Sequence, residues 1–374
     1  MNAVITSSQR RALRALSIAY FVQATGALSV AGSLPAISAA WQLTDAQSAR
    51  LLSVFGLTFA LAAPLVQVLF GHLRRRRLVL TGIALFSLGA FAFVLSPGSE
   101  LVHEQQRGRA IGMVLLGVSM ASLAGIPLAA WVASLWGAKA LFVLVGLLSL
   151  LSGLNILLTV PDDSAGTRIR LREMAGVLAD GKYLTAFLVV FFITSGVYSF
   201  YAFIAPLIRD TYTGGTHAVS AALAVLGVAG VLGNLWVTRA ATRFTAEKLL
   251  LSGMTLLIVD TALIAVLPKA LGVLLAALVV WAFATDLLWP SQQRRIVELA
   301  SVRHRGIALA LTSAFMFGGI GFGSAVASWI YPLAGFYGLI GVSVAFILLA
   351  MLSLQLSEKR RQPVNIAECG QRQA

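Results

Sequence analysis

The chain has 374 residues, of which 59% are apolar and only 11% charged, with a mean hydropathy of +0.88. Soluble domains are about 45–50% apolar and about 25% charged, so this composition excludes a soluble globular protein and indicates a polytopic helical membrane protein. The net charge of +14 comes from short basic clusters between apolar runs, which is typical of cytoplasmic membrane loops, so no nucleic-acid partner is expected.

A membrane-spanning helix needs about 20 mostly apolar residues. The first apolar run is longer than the core of a cleaved signal peptide, so an uncleaved first span is expected. In chain order the sequence predicts eleven spans, at 14–37, 48–71, 78–95, 110–134, 138–159, 184–208, 218–238, 247–267, 270–291, 306–331 and 335–356.

A polar segment divides these spans into five and six. The single cysteine, Cys369, lies near the C-terminus, so no internal disulfide and no thiolate metal cluster is expected. No other metal site and no cofactor is expected. The predicted organisation is an N-terminal bundle of five spans over 1–159, a cytoplasmic linker with a short interfacial helix over 160–183, a C-terminal bundle of six spans over 184–357 and a disordered tail over 358–374.

The two bundles are related by an internal repeat whose offset changes along the chain. RLVLTG at 77–82 corresponds to KLLLSG at 248–253, an offset of 171 residues. RGRAI at 107–111 corresponds to RGIAL at 305–309, an offset of 198. The difference between these offsets is about one membrane helix, and the span within 269–297 has no counterpart in the first half. The sequence therefore predicts that the N-terminal half lacks its fourth helix.

The distribution of charge supports this interpretation. With a fourth helix restored, the basic clusters of the chain all fall on the cytoplasmic side, as the positive-inside rule requires. Without a fourth helix, all spans after residue 110 must have the opposite orientation in the membrane, or one predicted span must fail to cross it. The alternative is chance similarity between apolar segments, but two offsets that differ by one helix argue against it.

Two motifs carry a resemblance to a known family. APLVQVLFGHLRRRRLVLTG at 63–82 is similar to the signature between spans two and three of the major facilitator superfamily, where a glycine, an aspartate and basic residues form a cytoplasmic gate latch. The aspartate position holds an arginine here. The positions that match this gating motif are Gly71, Arg75, Arg76 and Arg77.

Residues 107–142 resemble span five of the drug–proton antiporter branch, which includes sugar and arabinose efflux permeases; Gly117, Gly125 and Pro127 match its helix-packing motif. The resemblance implies an all-α polytopic membrane protein with a two-bundle fold, here with eleven helices (5 + 6) in place of twelve. It also implies proton-coupled efflux of small amphipathic molecules, drugs or sugars, by alternating access. The alternative is a truncated paralogue of such an exporter that transports poorly or not at all.

Two carboxylates lie clearly within spans, where an ionisable residue is costly and is by default a functional hypothesis. The resemblance places span ten beside the central cavity and span nine outside it. Asp286 is therefore the predicted proton-coupling or substrate-binding acid, because a carboxylate at low dielectric can exchange protons in the working pH range. The alternative is that Asp286 only bonds a neighbouring helix, and an interhelical structural role is predicted for Asp260.

The other cavity candidates are polar or aromatic side chains inside spans. Tyr198 and Tyr201 are three residues apart and share one helix face, with Ser195 beside them. Tyrosines near span ends also anchor membrane interfaces. Gln23 requires a partner inside the bundle, and Trp289 is either a substrate-stacking residue or an interfacial anchor.

The glycine-rich stretch GGIGFGS at 318–324 lies in an apolar span and predicts close helix packing rather than a nucleotide-binding loop. No catalytic motif is placed where an enzyme would need it, so the chain is not expected to be an enzyme. The expected partners are membrane lipids, a small-molecule substrate and protons. A monomer in a bacterial inner (cytoplasmic) membrane is expected.

Overall fold

The computed structural model describes residues 18, 44–70, 136, 144, 147–159, 171–241, 243–301 and 304–360. Every regular element within these ranges is a helix. The helices are α1 (Asp45–Phe70), α2 (Leu147–Thr159), α3 (Leu171–Ala179), α4 (Gly181–Tyr201), α5 (Ile204–Tyr212), α6 (Thr216–Ala240), α7 (Ala246–Val266), α8 (Leu271–Leu299) and α9 (Arg305–Lys359).

Within the described ranges, α4, α6, α7, α8 and α9 are long and apolar enough to cross a membrane. α9 has 55 residues, which is enough for two crossings at 1.5 Å per residue and a bilayer core of about 30 Å. Gly335 divides it, with a φ of 55° and a ψ of −145° that only glycine adopts readily. The first arm is 305–334 and the second is 336–359.

The two arms of α9 run in opposite directions beside α4. Gly323 on the first arm packs against Ser195 of α4, and the Ser343 hydroxyl on the second arm donates a 2.8 Å hydrogen bond to the carbonyl of Gly196. Residues twenty positions apart in α9 thus meet the same turn of α4. The described residues between 181 and 360 therefore contain six helical segments long enough to cross a membrane, with the two arms of α9 counted separately.

The predicted span 184–208 differs from the structure at its end. α4 stops at Tyr201 and the separate short helix α5 begins at Ile204. Pro206, in the first turn of α5, has no backbone N–H and could not continue the hydrogen-bond ladder of α4. The buried ring of Phe203 fills the break and packs on the ring of Tyr331, with the ring centroids 4.7 Å apart.

A short helix lies within the predicted linker. α3 buries Met174 and Val177 against α4, α8 and the start of α9, while most of its other residues face outward. In the N-terminal half, α1 matches the predicted span 48–71 and α2 matches the end of 138–159. The predicted spans 78–95 and 110–134, most of 14–37, and the junction at 98–106 lie outside the described residues. The missing fourth helix therefore stays a prediction.

Close helix packing at the glycine-rich stretch of α9 is confirmed. A Cβ atom placed on Gly319 or Gly323 would overlap the backbone of α4, and one placed on Gly321 would lie 2.8 Å from the backbone of α1. The first arm of α9 is thus held between α1 and α4 with backbones almost in contact, as small residues permit in membranes.

Large apolar side chains on the outward faces of the bundle are exposed. Val266 is 78% exposed, Leu232 60% and Leu352 51%. Contiguous apolar surface of this kind is unfavourable in water and favourable in lipid. The helices that carry these residues therefore face a bilayer.

One end of the C-terminal bundle carries two adjacent arginines, one of them buried. Arg295 of α8 is 1% exposed; its guanidinium donates a 2.6 Å hydrogen bond to the hydroxyl of Ser357 and lies 3.7 Å from the carboxylate of Glu247. The neighbouring Arg294 donates to the carbonyls of Ala241 and Phe244 at the end of α6. These contacts tie the ends of α6, α7, α8 and α9 together at the side where the positive-inside rule places the cytoplasm.

Candidate transport site

The two predicted cavity tyrosines form part of an aromatic cluster between α4 and α8. The rings of Tyr198 and Tyr201 meet edge to face at 5.6 Å. Tyr201 stacks on Trp281 of α8, with centroids 6.3 Å apart and an interplanar angle of 12°, and Phe200 contacts the same indole at 5.8 Å. Both tyrosines are half-buried, whereas Trp281 is 4% exposed. This cluster combines apolar rings with hydroxyl groups at a partly accessible position.

Asp286 lies where α8 crosses α6, and glycine makes room for it. A Cβ atom placed on Gly230 of α6 would lie 2.8 Å from Oδ2 of Asp286, and one placed on Gly233 would lie 3.1 Å from Cβ of Asp286. The carboxyl group is therefore set into a notch of two glycines one turn apart. Asp286 is half-buried, and within the described part of the chain no side chain hydrogen-bonds to it.

Ser195 lies at the contact between α4 and α9, apart from the tyrosine cluster. It is fully buried, and its hydroxyl donates to the carbonyls of Phe191, at 2.8 Å, and Gly319, at 3.2 Å. The structure thus gives this hydroxyl a role in helix packing. Trp289 is half-buried and packs against the core of the C-terminal bundle, on the same helix as Asp286.

Several predicted site residues lie outside the described residues. They are the cavity candidate Gln23, the gating-motif residues Gly71, Arg75, Arg76 and Arg77, and the helix-packing residues Gly117, Gly125 and Pro127.

The structure adds two residues that sequence reasoning missed. The sequence did hold a signal for Trp281: it lies in the middle of an apolar run, whereas tryptophans that anchor a membrane interface lie near span ends. Gln292 is 1% exposed and its amide nitrogen donates a 2.7 Å hydrogen bond to the carbonyl of Ala186 on α4. This bond crosses between the two helices that carry the aromatic cluster and fixes α8 relative to α4.

Comparison with known proteins identifies the family. The family profile of the Major Facilitator Superfamily matches residues 98–270 and 186–370, which together cover most of the chain. The inner membrane transport protein YdhP of Escherichia coli (strain K12) is 24% identical over 388 residues, with 95% of this chain and 97% of the relative covered. A probable sugar efflux transporter of Mannheimia succiniciproducens is 22% identical over 382 residues, covering 94% of this chain and 95% of the relative.

A solved structure supports the fold. The crystal structure of the human organic anion transporter MFSD10 (TETRAN) matches with a TM-score of 0.67 at 16% sequence identity, covering 93% of this chain and 99% of that one. The helical architecture, the apolar outward faces and the family match agree. The chain is an integral membrane protein that belongs to the Major Facilitator Superfamily of transporters, in its efflux branch.

Proposed function

We propose that the protein is a proton-coupled exporter of small amphipathic molecules, drugs or sugars, and that it works as a monomer in a bacterial inner membrane by alternating access. The observation that carries this proposal is the arrangement on α8. This one helix presents a half-buried carboxyl group, Asp286, and an aromatic surface formed by Trp281 with Tyr201. An exporter of this kind needs a group that takes up a proton and a surface that binds a partly apolar solute.

The chemistry of the two features is complementary. Stacked aromatic rings bind apolar or planar parts of a solute, and tyrosine hydroxyl groups bind its polar parts. Asp286 is set against two glycines rather than against a cation, so among the described residues nothing holds it permanently ionised. Its proton can therefore be exchanged as the site opens first to one side of the membrane and then to the other.

The comparisons do not favour the alternative of a truncated, non-transporting paralogue. The relatives align along almost their entire length, and their names are those of transporters. The alignments nevertheless span 388 and 382 positions, more than the 374 residues of this chain. The relatives therefore carry residues that have no counterpart here, which supports the proposed absence of a fourth helix from an otherwise functional transporter.

Transport in reconstituted vesicles tests the proposed function. The purified protein in proteoliposomes is expected to move ethidium or L-arabinose, as drug and sugar probes, when a pH gradient is applied across the membrane. Asp286→Asn is expected to reduce gradient-driven transport of the same probe at least tenfold. The matched control is Asp180→Asn, since Asp180 caps α4 through Lys182 N and asparagine caps equally well. Gradient-driven transport that Asp286→Asn leaves unchanged would contradict the role of Asp286.

A further inference from the structure

A second acid, Asp260 of α7, is buried in the same bundle without a hydrogen-bond partner for one of its oxygens. It is 5% exposed, and its Oδ2 has no hydrogen-bond partner among the described residues. Within the described residues, no hydrogen bond from another helix therefore reaches this oxygen. An ionised carboxylate in that environment is costly, so the neutral, protonated acid is the form that fits.

The register of α7 and α8 indicates the level of α8 at which Asp260 lies. A Cβ atom placed on Gly253 would lie 2.8 Å from Leu288 and 3.1 Å from the carbonyl oxygen of Ala284, which fixes the level at which these antiparallel helices meet. Seven residues are about two turns and return to the same helix face. Asp260 is seven residues beyond Gly253, and the residues seven before Ala284 and Leu288 are Ala277 and Trp281, so Asp260 lies at the level of residues 277–281 of α8.

Trp281 also has an unsatisfied polar group. Its indole nitrogen is enclosed without a partner among the described residues, as is the hydroxyl of Thr261 next to Asp260. Both groups can donate a hydrogen bond to a carboxylate. Buried polar groups without partners are rare in native proteins and require a physical explanation. Here the carboxyl oxygen of Asp260, the hydroxyl of Thr261 and the indole N–H of Trp281 lie near one level of two packed helices. We infer from this that these groups form hydrogen bonds in another state of the protein.

Few charged or titratable groups surround this site in the described helices. On α8, Asp286 is five residues beyond Trp281 and faces α6. Tyr201 of α4 lies on the ring of Trp281. The ammonium group of Lys269 donates hydrogen bonds to the carbonyls of Ile264 and Ala265 at the end of α7. It also lies over the rings of Phe336 and Tyr337, and Tyr337 is the titratable residue at the start of the second arm of α9.

We propose that Asp260 is a second proton-binding residue of the transport cycle, and that its protonation is transmitted to the substrate site through Trp281. Protonated Asp260 is neutral and leaves the indole N–H free, as in this structure. When the proton leaves, the carboxylate accepts hydrogen bonds from Trp281 and Thr261, and the indole that stacks on Tyr201 moves with it. Along α8, Trp281 and Asp286 are about 7.5 Å apart, so the two acids lie at successive depths in the membrane.

This inference rests on the proposed proton coupling, and its test has a readout that is independent of transport. Infrared spectroscopy of the purified protein is expected to show a protonated carboxyl C=O stretch at neutral pH, with one component that is lost in Asp260→Asn and retained in Asp286→Asn. Tryptophan fluorescence is expected to change with pH in the wild type, with the change abolished by Asp260→Asn and by Trp281→Phe, which keeps the stacked ring. Thr255→Val, on the exposed face of α7, is the control.

The two proposals can fail separately. If the wild-type protein transports no probe under a pH gradient, the proposed coupling fails, while a carboxyl band assigned to Asp260 would still show a buried protonated acid. If the wild type is coupled but Asp260→Asn leaves every component of the carboxyl band and the fluorescence change as in the wild type, the second proton site is wrong. If Asp260→Asn fails to fold, the test compares the pH-dependent fluorescence of the wild type with that of Trp281→Phe. The same fluorescence change in both proteins would overturn the link to the indole.

Discussion

Gly56 of α1 and Gly321 of α9 lie in direct backbone contact: a Cβ atom placed on Gly56 would lie 2.6 Å from the amide nitrogen of Gly321. The ring of Phe59 packs on that of Phe317 one turn away, with centroids 3.8 Å apart. α1 belongs to the predicted N-terminal bundle and α9 to the C-terminal one. This crossing is therefore a contact between the two halves, which alternating access would have to open.

A disulfide across this crossing tests whether it opens. A Cβ atom placed on Gly318 would lie 3.5 Å from Cβ of Ala60, within the range of disulfide geometry. In a Cys369→Ser background, Ala60→Cys with Gly318→Cys is expected to form a disulfide under mild oxidation and to reduce transport at least tenfold until a reductant is added. Each single cysteine variant is the control. Full transport by the oxidised protein would show that the two helices need not separate.

The glycine notch beside Asp286 gives a second prediction. Gly230→Ala introduces a methyl group 2.8 Å from Oδ2 of Asp286, so the carboxyl group must move or α6 and α8 must separate. We expect gradient-driven transport to fall several-fold while the protein remains folded. Gly341→Ala, at a helical glycine with open space around it, is the matched control and is expected to leave transport intact. The measurement is ethidium transport at several external pH values, where an unchanged profile for Gly230→Ala would be inconsistent with the notch.

The buried arginine at the end of α8 gives a prediction about stability. Ser357 is fully buried and accepts a 2.6 Å hydrogen bond from Arg295. Ser357→Ala is expected to destabilise the fold by about 1.5–3 kcal/mol, because a bond to a charged group is lost in a buried position. Ser353→Ala, one turn earlier, removes only a hydroxyl bonded to its own helix and serves as the control. Thermal unfolding in detergent measures the difference, and equal effects of the two substitutions would exclude a special role for Ser357.

The opposite end of the bundle gives a prediction about pH. The guanidinium of Arg209, which hydrogen-bonds the carboxylate of Asp210, holds the pKa of Asp210 below its usual range, and the Tyr331 hydroxyl at 2.7 Å acts in the same direction. A carboxyl group whose pKa is lower in the folded state stabilises the protein above its unfolded pKa of about 3.9. That contribution is lost as the pH falls through the lower folded value.

Tyr331→Phe is therefore expected to bring the pKa of Asp210 closer to its usual value and to lower the melting temperature slightly at neutral pH. The difference from the wild type is expected to shrink as the pH falls below about 4, because protonated Asp210 gains less from the hydroxyl group. Thermal unfolding across the acid range is the measurement. Tyr337→Phe, at an exposed tyrosine of the same helix, is the control. A difference that is constant with pH would argue against a bond to the ionised carboxylate.

Much of the C-terminal bundle could be predicted from local sequence. Apart from the end of the span 184–208, the spans predicted over 184–356 correspond to the long apolar helices of the structure, because a bilayer sets the length of an apolar helix. The packing role of the glycines at 318–324 was likewise predictable, because small residues in a membrane span allow helix backbones to approach closely. The break between α4 and α5 was missed, because residues on both sides of Pro206 are apolar and the ring of Phe203 that fills the break is held by a residue of α9.

The sequence by itself determined the class of protein, the division into helices and the presence of two acids within spans, because these depend on composition and on distance along the chain. Only the tertiary structure decided which faces meet: that the Ser195 hydroxyl bonds a carbonyl of α9, that Trp281 stacks on Tyr201, and that Asp286 faces a glycine notch. The reason is that lipid and protein interior are both apolar, so hydrophobicity does not mark which side of a membrane helix contacts another helix. That choice is made by shape and by a few polar groups from distant parts of the chain.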